Sequence, residues 1–518
     1  MRKRRMLAFW CAAVLVLQAC AAQIPDSLIA KVKNACAKSK HPLAGVGLVV
    51  QDVAADTPLV ALNADSQLNP ASLTKLVTAA VALEMLGPTF TFKTTLYTDG
   101  FFDRNTGCIN GNLYIRGSGD PGFLAERLWL LTQHLLHAGI KSIKGNLVLD
   151  DFQFDSASAG PGFSEDRSSR AYDAPVGALS ASFNTVAVVV RPGSAVDSVV
   201  RATMFPKMKG LSIVCSARTV DAPAKSTIDA RTENRAGKTS IVITGSMGIR
   251  DNPRYIYRKV WQTWENFGNA MTTLFADNGI ELKGSIRHGP TPDSLRGRDT
   301  LLTFESQPLL DFVRPMFKYS SNFAAEMVFK ALAAQRDSQP ASWPAASRIV
   351  GQWWKSQGLP GTPVIKNGSG MGNSNRLSAS QIVAVLRHVW NRKDYSPDYI
   401  SALSISAIDG TIKSRFKGSP LAGIIRGKTG TLNDYGVSCI AGYVLMAQKT
   451  YAFAIMMNVP NAGQFEHWRL QEKLLEISLP GNERTPARQG DSLRMQKPGD
   501  LPIRQESEDT PEEMDVNP

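Results

Sequence analysis

The sequence predicts an α+β protein whose helix-and-strand core is interrupted by a long, mostly β insertion. Three observations predict it. Residues 438–446 and 450–459 are apolar β runs separated by a short turn, which reads as an antiparallel pair. Helical periodicity marks 73–86, 309–334, a stretch ending at 357, and 378–391. Between about 90 and 304 the pattern changes to short β-like runs separated by turn residues. At 518 residues the chain is too long for one core, so two or three domains are expected. A hydrophobic content of 43% with 20% charged residues is that of a globular protein.

The elements follow in order. Met1-Arg2-Lys3-Arg4-Arg5 is basic, residues 7–17 are apolar, and Gln18-Ala19-Cys20-Ala21-Ala22 is small and polar. This is the pattern of a secretory signal, and its apolar run is too short to cross a bilayer as a helix. Two cuts are open. Small residues around Ala22 suit removal of 1–22, leaving Gln23 first. Leu17-Gln18-Ala19-Cys20 resembles a lipoprotein signal with lipid on Cys20, although Gln18 fits it poorly. A short helix is expected over 27–36, then β segments over 45–53 and 58–62 joined by the turn Ala54-Ala55-Asp56-Thr57. Asn69-Pro70-Ala71 leads to Ser72, and Leu73, Val77, Ala80 and Leu83 recur at helical spacing until Gly87-Pro88 stops the helix.

Strands are expected over 92–97, 112–115, 146–149, 185–191, 211–214 and 240–244, with one helix over 124–137. The inserted region is set at 99–300, with room for a nested domain at about 180–255, and the discontinuous core at 23–98 and 301–480. Ser342 is the expected N-cap of the helix ending at 357, with Pro344 in its first turn, and Ser378 and Ser380 open the next. A last helix covers 466–477. The tail, 481–518, is rich in Pro, Arg, Gln, Asp and Glu, has almost nothing apolar to bury, and is expected to be disordered.

The formal charge is +13, or +9 once the four cationic residues of 1–22 are removed. A basic exported protein associates with anionic wall or membrane surfaces, peripherally or through a lipid anchor, although solubility alone would also account for the charge. No nucleic-acid motif occurs. Cys36, Cys108, Cys215 and Cys439 lie far apart and match no metal pattern, and Cys11 would leave with the signal. An oxidising compartment permits a disulfide without fixing its pairing. His134 and His137 share a helix face but lack the acidic partners of a metal site, so they read as structural.

Three short stretches carry the chemistry: Ser72-Leu73-Thr74-Lys75, Ser320-Ser321-Asn322 and Lys428-Thr429-Gly430-Thr431. Alone, each would be read as helix caps, a polar turn or a strand end. As an ordered set they supply a nucleophile, a base, a second hydroxyl and a cationic anchor. Ser72 and Lys75 share one face at the start of a helix. A serine hydroxyl needs a base, and a lysine serves only when neutral, a state that burial or a neighbouring cation such as Lys428 promotes. Ser320 could pass a proton from Lys75 to a leaving amine. Asn322 could hold a substrate amide and fix Lys75. On a strand, Lys428 and Gly430 point to one face and Thr429 and Thr431 to the other. Lys428 and a threonine hydroxyl could then hold a carboxylate, Gly430 would let substrate backbone lie close, and the N–H groups of Ser72 and Thr431 would form an oxyanion hole.

This trio resembles that of β-lactamases and penicillin-binding proteins. The chain as a whole, from about 40 to 480, resembles the serine D-alanyl-D-alanine carboxypeptidases/endopeptidases of the low-molecular-mass penicillin-binding class with a large insertion. Further landmarks carry the likeness: Arg116-Gly117-Ser118-Gly119-Asp120-Pro121, Gly145 to Asp150, Tyr172 to Leu179 with Phe183-Asn184, Asn367-Gly368-Ser369-Gly370, Arg376-Leu377-Ser378, Asp409-Gly410-Thr411 and Gly442-Tyr443-Val444. The resemblance implies a β-lactamase/transpeptidase-like core, an antiparallel sheet flanked by helices. It implies acylation of Ser72 by peptidoglycan stem peptides ending in D-Ala-D-Ala and by β-lactams as covalent inhibitors, in the periplasm. Cleavage of D-Ala-diaminopimelate cross-links is implied as well, and no metal or organic cofactor. The family's roles carry over to Ser72, Lys75, Ser320, Asn322 and Lys428.

Departures are few. Ser321 replaces an aspartate and should point away from the reaction. Asn367 replaces an aspartate, Met371-Gly372-Asn373 lacks an arginine found in some relatives, and Asn433-Asp434-Tyr435-Gly436 is longer than usual. Asp150 is a candidate for gripping a substrate amine, with a structural loop role equally open. Two other functions compete with the peptidase: a β-lactamase or esterase on the same core, which needs an extra acid or tyrosine for deacylation, and a catalytically inert wall-binding protein.

Overall fold

The computed structural model describes residues 26–480 except 40, 164–167, 206–208, 222–225, 236–237, 298–299 and 337–339. The expected signal at 1–22 with Cys11 and Cys20, and the tail at 481–518, lie outside the described residues.

The core is built on one sheet of six antiparallel strands. These are β1 (Val46–Asp52), β2 (Val60–Leu62), β3 (Ser404–Ile405), β4 (Ile425–Leu432), β5 (Val437–Leu445) and β6 (Thr450–Asn458), in the spatial order β2-β1-β6-β5-β4-β3. The two strands expected from 438–459 are β5 and β6 at its centre. β1 lies beside β6, with Val46 opposite Met457 and Asp52 opposite Tyr451, so the two ends of the described chain close the sheet together.

Both sheet faces are covered, which is why these strands read as continuous apolar runs. The outer face carries Val46, Leu48, Val50, Ile440, Phe453 and Ile455 against helix α1 (Asp26–Lys38) and the last core helix. The inner face carries smaller residues, Cys439, Ala441, Ala452 and Ala454, so helices lie close to it. The helices there are α2 (Thr74–Leu86), α3 (Leu309–Lys318), α4 (Asn322–Arg336), α5 (Trp343–Ser356) and α6 (Ala379–Trp390); α7 (Gln464–Ser478) is the last core helix, on the outer face. α2 is buried at every residue from Thr74 to Leu83, consistent with a helix apolar nearly all round. Ser342 and Ser378 cap α5 and α6 as expected, the latter in a capping box with Gln381.

The insertion brings its own sheets. Five strands lie in the order Ile286–His288, Leu147–Asp150, Leu113–Arg116, Lys93–Thr98, Leu302–Glu305. The junction strands Lys93–Thr98 and Leu302–Glu305 pair with each other here, and Leu96 and Phe304 lie in this sheet's apolar cluster. Both strands extend beyond the 99–300 limits read from sequence. Between Thr185 and Lys259 two three-stranded sheets enclose a separate cluster of Val186, Val188, Val190, Ile241, Ile243 and Met247. A second helix, Thr263–Asp277, was not expected from the sequence. Gly268 at its middle interrupts the periodicity. The structure gives the reason for it: a Cβ there would come within 2.6 Å of Leu149 Cδ1. Cys36, Cys108, Cys215 and Cys439 are all free.

Candidate active site

Ser72 sits in a 3-10 turn, Ala71–Leu73, that runs straight into α2. The approach is tightly held. Asn69 N donates to Asn458 Oδ1 at the end of β6 (2.7 Å), Asn69 Oδ1 accepts from Ala71 N (2.9 Å), and Asn69 Nδ2 donates to Gly372 O and Asn373 Oδ1. Ala71 has φ +44°, a strained value for a residue with a side chain, and the strain adjoins the nucleophile. Ser72 is half-buried while its neighbours Ala71 and Leu73 are buried, so its hydroxyl is presented from a closed surface.

Lys75, one turn on, is fully buried. Its Nζ donates to Asn322 Oδ1 (2.7 Å) and Ser369 O (2.9 Å) and lies 2.8 Å from Ser72 Oγ. Burial lowers its pKa to about 7, and the Glu326 carboxylate opposes part of that fall.

The second motif occupies the break between α3 and α4. Ser320 adopts φ +58°, which ends one helix and lets Asn322 begin the next. Ser321 accepts from Ala324 N and so caps α4 (3.2 Å), its side chain engaged away from Lys75. Lys318, just before the break, is tied to Asp409 Oδ2 (2.5 Å), and Asp409 Oδ1 accepts from Ile405 N.

The third motif lies on β4. Lys428 is fully buried, and its Nζ donates to Ser320 Oγ (2.8 Å) and Thr429 O (2.6 Å). Burial, and then the charge of Lys75, hold its pKa well below the usual lysine value. Thr429 Oγ1 meets Thr411 Oγ1 at 2.8 Å. Gly430 is pressed on the nucleophile's turn: a Cβ would lie 2.8 Å from Pro70 O and 2.9 Å from Ser72 N. β3 pairs with β4 only at Arg426 and Gly427, so no described strand pairs with the outer edge of β4 from Lys428 to Leu432. Beyond Thr431 lies a cavity of about 260 Å³, lined also by Asn433, Gly436, Ser438 and His467.

Lys75 therefore bonds Ser72 and Asn322, and Lys428 bonds Ser320, two hydrogen-bonded groups close enough for the charge of Lys75 to act on Lys428, with Thr429 and Thr431 on the strand beside them. Asp150 stands apart. It is fully buried in the insertion; Oδ1 accepts from Phe152 N (3.1 Å), Oδ2 accepts from Thr291 N (2.8 Å), and Arg116 Nε is 3.6 Å away. Its oxygens hold a loop of the insertion, the arrangement of a structural aspartate. Asn367 is buried and donates from Nδ2 to Pro161 O and Met371 O, two acceptors that an aspartate could not serve.

Sequence reasoning missed Asn69, Glu326 and Thr411. Asn69 and Thr411 stand within stretches already named, but nothing in their spacing gives them a role. Glu326 lies among apolar residues of α4, where its single charge reads as a surface position. Among the described residues no cluster of His, Cys, Asp or Glu could hold a metal ion, and no helix is long and apolar enough to cross a membrane.

The sheet, its helices and this trio define a serine acyl-transfer enzyme of the β-lactamase/transpeptidase fold. The model of the D-Ala-D-Ala carboxypeptidase 3 (S13) family matches residues 28–475, and the chain belongs to that family, the serine-type D-Ala-D-Ala carboxypeptidases. The D-alanyl-D-alanine carboxypeptidase of Actinomadura sp. (strain R39) is 28% identical over 421 residues, 80% of this chain and 77% of that one. D-alanyl-D-alanine carboxypeptidase DacB of Haemophilus influenzae is 26% identical over 430 residues, covering 81% and 87%. The crystal structure of penicillin binding protein 4 (dacB) from the same organism superposes with TM-score 0.74 at 23% identity, covering 86% of this chain and 98% of that one, a likeness of fold. The resemblance and the fold class read from the sequence are both borne out.

Proposed function

We propose that the protein is an exported DD-peptidase that removes the terminal D-alanine of peptidoglycan stem peptides, and splits D-Ala-diaminopimelate cross-links, through an acyl-enzyme on Ser72. The observation that carries this reading is the set of partners around Lys75 Nζ. Asn322 Oδ1 and Ser369 O can only accept, so they take two N–H bonds. In the neutral amine the lone pair is then left for Ser72 Oγ, the one partner with a proton to give. A pKa near 7 keeps that neutral form well populated at neutral pH.

The geometry supports the following steps. Lys75 takes the Ser72 proton as Oγ bonds to the carbonyl carbon of the penultimate D-alanine. The oxyanion is met by the N–H groups of Ser72 and Thr431, where one donor is worth about 10²–10³ in rate. The proton passes from Lys75 through Ser320, which Lys428 holds, to the departing D-alanine nitrogen as the C–N bond breaks. Water then attacks the ester, giving the shortened peptide and free Ser72. The unpaired edge of β4 accepts the substrate backbone as an added strand, and Lys428, Thr429 and Thr431 bind its carboxylate end. β-Lactams enter by the same acylation.

The β-lactamase alternative needs a free acid to activate water quickly. The carboxylate in electrostatic reach of Lys75, that of Glu326, has both oxygens occupied by N–H donors. The basic charge of the chain favours peripheral contact with the anionic wall or membrane, with lipid on Cys20 a second mode.

The test is incubation with purified monomeric pentapeptide muropeptides and cross-linked dimers, with mass analysis of the products, alongside labelling by fluorescent penicillin. Released alanine, split dimers and a persistent label on Ser72 are expected, with all three lost in Ser72→Ala. Rapid turnover of penicillin without peptide cleavage would favour the β-lactamase, and absence of label would favour the inert protein.

A further inference from the structure

We propose that Glu326 is a positioning residue for the acylation base: it holds the Gly368–Ser369 turn that presents the Ser369 carbonyl to Lys75, and it places a fixed negative charge behind that amine. The inference rests on the reading of Ser72 and Lys75 as the acylating pair.

Glu326 is 1% exposed. It lies four residues after Asn322 on α4, so both side chains leave the same helix face. Its Oε1 accepts from Ser369 N (2.8 Å), and its Oε2 accepts from Gly368 N (3.0 Å) and Trp343 Nε1 (2.7 Å). Three N–H donors converge on it, and its charge acts on Lys75. The turn it grips bonds α2 twice: Ser369 O accepts from Lys75 Nζ (2.9 Å) and Gly368 O from Thr78 Oγ1 (2.8 Å). α4 thus fixes Lys75 in two ways, directly through Asn322 and indirectly through Glu326.

A neutral acceptor could brace this turn without the desolvation cost of a buried charge. The charge has a second effect, because two ammonium groups share the site. The charge of Lys75 favours loss of a proton from Lys428, on β4. Glu326, on α4, favours keeping the proton of Lys75. Lys330, one turn further along α4, also feels Glu326 but is paired with Asp155 at 2.6 Å, with Asp151 in electrostatic reach. Lys428 and Lys75 are equally buried, and Glu326 is the carboxylate whose charge opposes the effect of burial on Lys75.

The experiment measures the second-order rate of acylation by benzylpenicillin against pH for the full chain and for Glu326→Gln. Losing the charge, and with it the firm seat of the Ser369 carbonyl, favours the neutral amine. The acid limb should move to lower pH by about one unit, while the plateau falls about tenfold or more from misplacement of the base. An unmoved limb would overturn the proposal, whether the plateau falls, as for a mere brace, or stays. Should Glu326→Gln fail to fold, Glu326→Asp decides. It keeps the charge but is one methylene too short to reach both N–H groups, so the limb should stay and the plateau fall; a wild-type plateau would overturn the proposal. Lys75→Ala in parallel separates the two ideas. If it acylates normally, the assignment of Lys75 fails; if it is inactive while the Glu326→Gln limb is unmoved, this inference alone fails.

Discussion

With Lys75 titrating near pH 7, the rate of β-lactam acylation should fall tenfold per pH unit well below that point and level off above it. The sign follows from the mechanism, since protonation removes the lone pair that receives the Ser72 proton. Rates measured between about pH 5 and about pH 9 check it, and a flat profile would exclude Lys75 as the base. Lys75→Ala should lose acylation while substrate affinity changes little. At Gly430, alanine would place a methyl group against Pro70 O and Ser72 N. The strand and the nucleophile's turn must then part, and a misplacement of about 1 Å costs about 100-fold in acylation, with the folded state kept as judged by circular dichroism. At this scale the sequence singled out Ser72, Lys75, Ser320, Asn322 and Lys428, which the fold brings near one another, because the proposed chemistry is written in residue types at fixed spacing. It gave Glu326, Asn69 and Thr411 no role, because each acts through partners brought near only by folding. Asp150 shows the converse: its burial and its bonds to a loop could not be read from the landmark motif that it ends.

The elements were largely legible because period and punctuation agree. Gly87 ends α2 at φ +88°, Ser378 starts α6, and the β5–β6 pair has the alternation of large and small residues that a two-faced central strand requires. Replacing Ser378 by alanine should remove one side of its capping box and destabilise the protein by about 1 kcal/mol, read as a lower urea midpoint with unchanged slope. The helix Thr263–Asp277 was not legible. Its N-cap, Gln262, makes no side-chain bond, and Gly268 is explained only by the strand it touches, so neither period nor boundary signalled it. The break between α3 and α4 was visible as a polar interruption, but its left-handed Ser320 was not, since its partner Lys428 comes near only on folding.

Across the whole molecule, the insertion and the core meet along the segment after Asp150. Lys330, fully buried on α4, binds Asp155 at 2.6 Å and lies over the rings of Phe154 and Trp343. Asp155→Ala leaves that ammonium without its counter-ion and should cost about 2 kcal/mol, measured by denaturant unfolding. The sequence placed the insertion between the first and second motifs but set its limits inside the junction strands. Pairing between Lys93–Thr98 and Leu302–Glu305 spans two hundred residues, and local pattern carries no sign of such a partner.

The pairing of β1 with β6 has a consequence for biogenesis. Val46 waits for Met457, so the central sheet cannot close until almost the whole core has been synthesised, whereas the strands between them have partners nearer in the chain. A polypeptide stopped before Thr450 should therefore take up no fluorescent penicillin, however well its middle folds. The turn that carries Ser72 has its own tie to β6, through Asn69 and Asn458, and lacks it until that last strand arrives.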